Sequence, residues 1–338
     1  MKTNYFLRCL ASFGCILPLF AAPCMAQSGT AIPATPSLVK NVGVSAADIP
    51  ESKTEIEKNR APEHIFRKKI LATAFAVNRL AQVADIDNIA QNFPRELLLR
   101  LENSRKFLTR NSPDLLSYTR QQETPSVKLI KQVAAEYDSQ FVIAGEIRNA
   151  GLDIEKKYFG LWENRKRHID IEFAIYDGLS GALLARHNVR RQTEEQASVG
   201  RDKPFGSAVF FATSYGKVLD SLLEESAQLI EQDLAPFPLL AKILKVSNGQ
   251  VVLDAGATSA IATGDLASVE AASNELPTQG LRSHQSLPAM YGVAQTNVGK
   301  LAIIQVQYLF SVGELSAQIK PDQIRAGDYV RFDTVMEK

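Results

Sequence analysis

The amino-acid sequence predicts an α+β protein: a mixed β-sheet with helices packed on it, followed by a small all-β, SH3-like barrel. Three observations lead there. Between residues 66 and 235, apolar runs of strand length alternate with segments of helical period. Beyond residue 240 no helical period appears, and glycine turns separate short strand-like runs. One turn is written twice in that last part. "IATGDLASV" at 261–269 and "IRAGDYVRF" at 324–332 each read apolar, two spacers, Gly-Asp, strand. Ile261 or Ile324 can pin the segment to a core, and Gly264 or Gly327 supplies backbone freedom. Asp265 or Asp328 is expected to bond an amide two residues on. Two such copies mark equivalent corners of one closed sheet.

Taken in order, the first strand is expected at 69–77, an unbroken apolar run. A helix follows over 93–104, with Pro94 in its first turn, where a missing N–H costs nothing, and Leu97, Leu98 and Leu101 on one face. A short strand at 106–111 leads to a second helix at 126–138. Ser126 stands in capping position there, and Val127, Ile130, Val133 and Ala134 recur at helical spacing. Residues 140–149 read as a buried strand. In 167–177, Ile169, Ile171, Phe173 and Ile175 alternate with His168, Asp170 and Glu172, and "GLSG" at 178–181 turns the chain back into a hairpin. A helix at 215–234 closes the block with Leu219, Leu222, Leu229 and Ile230 inward. The order β-α-β-α-β-β-β-α favours right-handed parallel crossovers with antiparallel strands added at one side. Prolines at 236 and 238 mark a joint, so the domains are expected at 66–235 and 236–338. In the second, 241–254 forms a hairpin about Asn248-Gly249, and residues 273–297 form a long polar insertion.

The first 26 residues read as a signal peptide. Lys2 and Arg8 precede a short apolar run, and "CMA" at 24–26 ends in a small residue. All three cysteines, Cys9, Cys15 and Cys24, lie in this stretch, so the exported chain is expected to carry neither disulfide nor thiol. Lipidation at Cys24 is a further possibility, disfavoured by Pro23. Residues 27–65 are rich in Ser, Thr, Pro and charge and read as a flexible leader. With 38 Lys and Arg against 37 Asp and Glu, the charge is balanced and gives no general reason to expect nucleic acid or a membrane surface as partner.

Catalytic patterns are missing. The four histidines, His64, His168, His187 and His284, show no metal-ligand spacing. "GVAQTNVGK" at 292–300 has six residues between its glycines where a phosphate loop needs four, and it leads into a strand. Glu146 and Asp177, beside strand ends, are the candidates for a paired-carboxylate hydrolase, the enzyme alternative; hairpin and edge roles are the simpler reading. No cofactor and no metal are expected. One charge pattern suits docking. Lys156, Lys157, Arg165, Lys166 and Arg167 surround Phe159 and Trp162, and Arg190 and Arg191 follow on the returning strand. Asp220, Glu224 and Glu231 lie on the outer face of the last helix. A positive hairpin and a negative helix on one subunit could join copies head to tail in a ring. Charge reversal at Arg165 and Arg167 is then expected to leave folding intact and to abolish ring incorporation.

The stretches "FPRELLLRLENSRKF", "LIKQVAAEYDSQFVIAGEIRN" and "IDIEFAIYDGLSGALLARHNVRRQ" resemble the middle domain of the flagellar assembly protein T family, which looks like the N-terminal domain of TolB. "GKLAIIQV", "SVGEL" and "IRAGDYVRF" resemble the small β-rich C-terminal domain of the same family. The resemblance covers about 66–333. It implies a non-enzymatic periplasmic subunit of the H-ring around the flagellar basal body, with other ring proteins as partners and no small-molecule substrate. A cell-envelope adaptor of TolB or curli-secretion type is the alternative. Family members usually carry a folded N-terminal domain, in whose place this sequence has the leader.

Overall fold

The computed structural model describes residues 65–116, 125–157, 162–193, 199, 202–272, 295–319 and 323–333, with the backbone alone over 153–157 and 162–165 and at 272 and 295. Seven strands build the first sheet: β1 (Lys68–Ala74), β2 (Ala76–Val77), β3 (Phe107–Leu115), β4 (Phe141–Asn149), β5 (Leu152–Lys157), β6 (Trp162–Asp177) and β7 (Leu183–Gln192). The central order is β3-β1-β4-β6, with β5 and β7 both on β6 and β2 on β4. β1 runs parallel to β3 and β4, while β4, β6 and β7 are antiparallel. The expected crossovers and hairpin are therefore both present.

Alternation along the strands sends side chains to two cores. Ile70, Ala72, Ile143 and Ile171 face α1 (Ile89–Asn103) and α4 (Ser214–Leu234), preceded by the single turn α3 (Ala208–Phe211). Leu71, Val142, Ala144 and Tyr176 face α2 (Val127–Glu136). Opposite faces follow from chirality. The β1-α1-β3 and β3-α2-β4 connections move along the sheet in opposite directions, and right-handed crossovers then place their helices on opposite sides. The Ser126 hydroxyl accepts the Leu129 N–H at 3.3 Å, as its capping position suggested.

Two expectations need correction. α1 starts at Ile89, four residues before the expected start, so Pro94 lies inside the helix. A proline there removes the bond to the carbonyl four residues back. That carbonyl, on Ala90, instead accepts the Phe75 N–H at 2.8 Å, which ties the helix to the end of β1. Second, 152–157 and 162–166 are strands. β5 pairs with the first six residues of β6, from Leu152 opposite Arg167 to Lys157 opposite Trp162, as a ribbon continuing beyond the main sheet. Mixed charge and aromatics hid the alternation there.

The remaining strands, β8 (Leu239–Ser247), β9 (Gln250–Leu253), β10 (Leu266–Ala272), β11 (Gln295–Val306), β12 (Ser311–Leu315) and β13 (Tyr329–Phe332), close a six-stranded barrel in the order β10-β11-β12-β9-β8-β13. The two Gly-Asp turns are its equivalent corners. Gly264 and Gly327 have φ of 97° and 102°, in the region that favours glycine. The Gly264 N–H donates to the Ile303 carbonyl and the Ile303 N–H to the Asp265 carbonyl. Gly327, Ile243 and Asp328 repeat the pair of bonds. Ile261 and Ile324 are both buried in the barrel core. The aspartates act backwards rather than forwards. Asp265 accepts the Ala262 N–H and Asp328 the Arg325 N–H, each at 2.8 Å, closing the turn on itself. β10 and β13 pair antiparallel about Ser268 and Arg331, so a pseudo-twofold axis relates the β8-β9-β10 unit to β11-β12-β13.

The barrel and the sheet share chain. Phe66, expected with the sheet, packs in the barrel core with its ring 5.1 Å from that of Phe332. The Gln140 amide donates to the Pro238 carbonyl at 2.8 Å and accepts the Leu240 N–H at 3.2 Å, holding the proline joint against the end of β4.

Candidate functional site

The residues expected to dock fall into three groups. Lys156, Lys157, Trp162 and Arg165 lie on the β5–β6 ribbon, placed by backbone register alone, and Phe159 lies outside the described residues. A two-stranded ribbon is marginal in water and gains stability from whatever packs on it. Lys166 is half-buried at the ribbon's base.

Arg167 is not a surface residue. It is 2% exposed, and its guanidinium grips Asp85 with two bonds of 2.6 and 2.8 Å. It also donates to the Ala150 and Gln82 carbonyls and stacks over the Tyr215 ring at 4.3 Å. Burial drives the Tyr215 hydroxyl well above the usual range, against the pull of Arg167, so the phenol stays neutral beneath the cation. The expectation that charge reversal here spares folding is therefore withdrawn for Arg167. Its place in a basic run concealed an inward-facing strand position.

The third group is matched inside one chain. Arg190 donates to Asp170 at 2.8 Å, and Arg191 pairs with Glu225 on α4. On the outer face of α4, Asp220 pairs with Arg100 and Glu231 with Lys106 at 2.7 Å, while Glu224 accepts from Gln228 at 3.2 Å. Positive strand and negative helix thus adjoin each other in one molecule. The attraction expected between subunits is met in part within each one. Exposed pairs of this kind contribute about 0–1 kcal/mol each.

A feature that the charge pattern did not signal is the tip of the β11–β12 hairpin. Tyr308, Leu309 and Phe310 are 75%, 64% and 42% exposed. The tip is held rigidly. The Gln307 N–H donates to the Phe310 carbonyl at 2.8 Å. The Ala257 and Thr258 amides donate to the Gln307 and Tyr308 carbonyls. The pseudo-equivalent hairpin, β8–β9, turns with Asn248 and Gly249 at its tip. The turn itself therefore needs no large apolar side chain, and three consecutive exposed ones present ordered apolar area of the kind interfaces use. The signal in the sequence was "YLF" between two strands, where turn residues were due.

Asp177 accepts the Ser180 N–H at 2.8 Å and closes the β6–β7 turn. Glu146 lies on β4 opposite Glu172 on β6. Among the described residues no three His, Cys, Asp or Glu side chains are grouped to hold a metal, and no helix is long and apolar enough to cross a membrane.

The described residues form an α+β protein with a mixed sheet and a closed barrel. Residues 60–200 match the family model described as flagellar assembly protein T, middle domain. No curated protein matches the chain. Solved structures are similar to it over about half of its length. The hypothetical protein CT253 from Chlamydia trachomatis is 15% identical, with a TM-score of 0.37, over 50% of this chain and 99% of that one. A PelC dodecamer from Paraburkholderia phytofirmans is 10% identical at a TM-score of 0.30, over 49% and 90%. TolB from Acinetobacter baumannii is 12% identical at 0.26, over 58% and 37%.

Proposed function

We propose that this protein is a non-enzymatic, exported component of the flagellar basal body, a subunit of the periplasmic H-ring that supports flagellum formation and motor attachment. The observation that carries the reading is the match of residues 60–200 to the flagellar assembly protein T middle domain. The signal-peptide pattern of residues 1–26 supports export. The β5–β6 ribbon and the Tyr308–Phe310 tip supply two docking surfaces, at the sheet and at the barrel, for neighbouring ring proteins or further copies of the chain. No cofactor enters this function.

The test is a deletion strain viewed by electron microscopy, with the tagged protein expressed from a plasmid. Missing or poorly anchored flagella, restored by the plasmid, and the protein recovered with purified basal bodies are expected. Normal flagella together with absence from basal bodies would overturn the reading and favour an envelope adaptor. Turnover of a substrate that is lost on replacing Glu146 or Asp177 would favour the hydrolase.

A further inference from the structure

One ammonium group sits between the sheet and the barrel. Lys69, buried on β1, donates to Asp138 at 3.0 and 3.1 Å, just beyond the end of α2. It also donates to the carboxylate and the carbonyl of Asp254, just beyond β9 in the barrel, both at 3.0 Å. The two aspartates are unequal. Asp138 is 47% exposed and has a second cation in Arg110 of β3, 3.0 Å away. Asp254 is 15% exposed, and its remaining partner is the backbone N–H of Lys242 on β8, at 2.6 Å. The Tyr329 phenol on β13 also lies near Asp254, Asp138 and Asp177 at the end of β6.

We propose that Lys69 latches the barrel onto the sheet and that Asp254 is the proton-sensitive half of the latch. A buried carboxylate that keeps its charge needs a cation beside it, whereas a protonated or amide side chain of the same shape does not. Burial pushes the Asp254 carboxyl above its ordinary range, against the pull of Lys69. The docked arrangement therefore takes up a proton more readily than a separated one, in which Asp254 would be hydrated. Falling pH favours docking. The latch would keep the docking surfaces of sheet and barrel at one fixed spacing as the pH outside the cell changes. It stands whether or not the ring reading does.

The experiment uses the full chain with Cys9, Cys15 and Cys24 changed to serine and nitroxide labels at the exposed positions Leu99 on α1 and Leu244 on β8. The parent should give one narrow distance at pH 7.5 and at pH 5. Lys69→Met should broaden it at pH 7.5 and recover the narrow distance on acidification. Lys69→Met with Asp254→Asn should be narrow at both pH values, because nothing charged remains buried on the barrel side and Asp138 keeps Arg110. A parental distance for Lys69→Met at pH 7.5 would refute the latch, as would broadening that survives both acid and Asp254→Asn. Should Lys69→Met not fold, the double variant decides alone: parental distance supports the proposal, and failure to fold or a broad distance rejects it.

Discussion

Arg167 shows how much one side chain can hold when it is buried with four of its five N–H donors engaged. Its fork meets a carboxylate, two carbonyls and an aromatic face, joining β6 to the 80s loop and to α4. Arg167→Glu would bury a carboxylate beside that of Asp85 with no cation between them. We expect a loss of about 3 kcal/mol or more, read by urea denaturation, with export and yield falling in step. Unchanged stability would show that the site opens to water. Lys68 behaves differently. Its buried amine donates to the Leu234 carbonyl at 2.5 Å and to that of Ala235, at the C-terminus of α4. Burial, helped by Lys106, lowers it to about 8 from 10.5. Between those two values the unfolded chain holds a proton that the folded chain has released, so folding gains stability as pH rises through the window. Compared with Lys68→Met, the natural protein should therefore become relatively more stable from pH 8 to 10.5. A difference independent of pH would mean that Lys68 is hydrated.

At the scale of elements, the barrel's two halves make a natural control experiment. Each half is a hairpin, a Gly-Asp turn and a strand, bonded to its neighbour by the same two hydrogen bonds. One hairpin turns at Asn248-Gly249 and the other at Tyr308-Leu309-Phe310. Replacing all three apolar residues with serine should change stability by no more than about 0.5 kcal/mol, because the side chains are exposed and the tip is held through its backbone. The same variant should sharply reduce recovery with basal bodies. Retained recovery would relieve the tip of any docking role, whereas a large drop in melting temperature would make it structural. Much of this level could be read beforehand. Ser126 capped its helix, the 167–192 hairpin paired as the alternation implied, and the two corners were visible as repeated letters. Pro94 misled because an isolated proline signals a helix start, and Phe75 filled the vacancy from a distant strand end. The β5–β6 ribbon was obscured because its strand pattern is overwritten by charge.

For the whole molecule, the consequential contact is the smallest. Phe66 precedes the first strand of the sheet, yet its ring completes the core of a barrel whose first strand begins at Leu239. Phe66→Ala should lower stability by about 3–5 kcal/mol and expose the barrel core to dye or protease before the sheet is affected. Simultaneous loss of both parts in one transition would show that barrel and sheet melt as a single unit. The sequence by itself determined the alternation of strand and helix and the twin corners, because these rest on periods and turn chemistry that act over a few residues. Only the tertiary structure decided which charges face water. It turned Arg167 inward, matched Asp220 and Glu231 to cations on other elements, and brought Lys69 between aspartates from the sheet and the barrel. Whether a charged side chain docks, braces or latches depends on partners tens to hundreds of residues away, and local pattern carries no information about them.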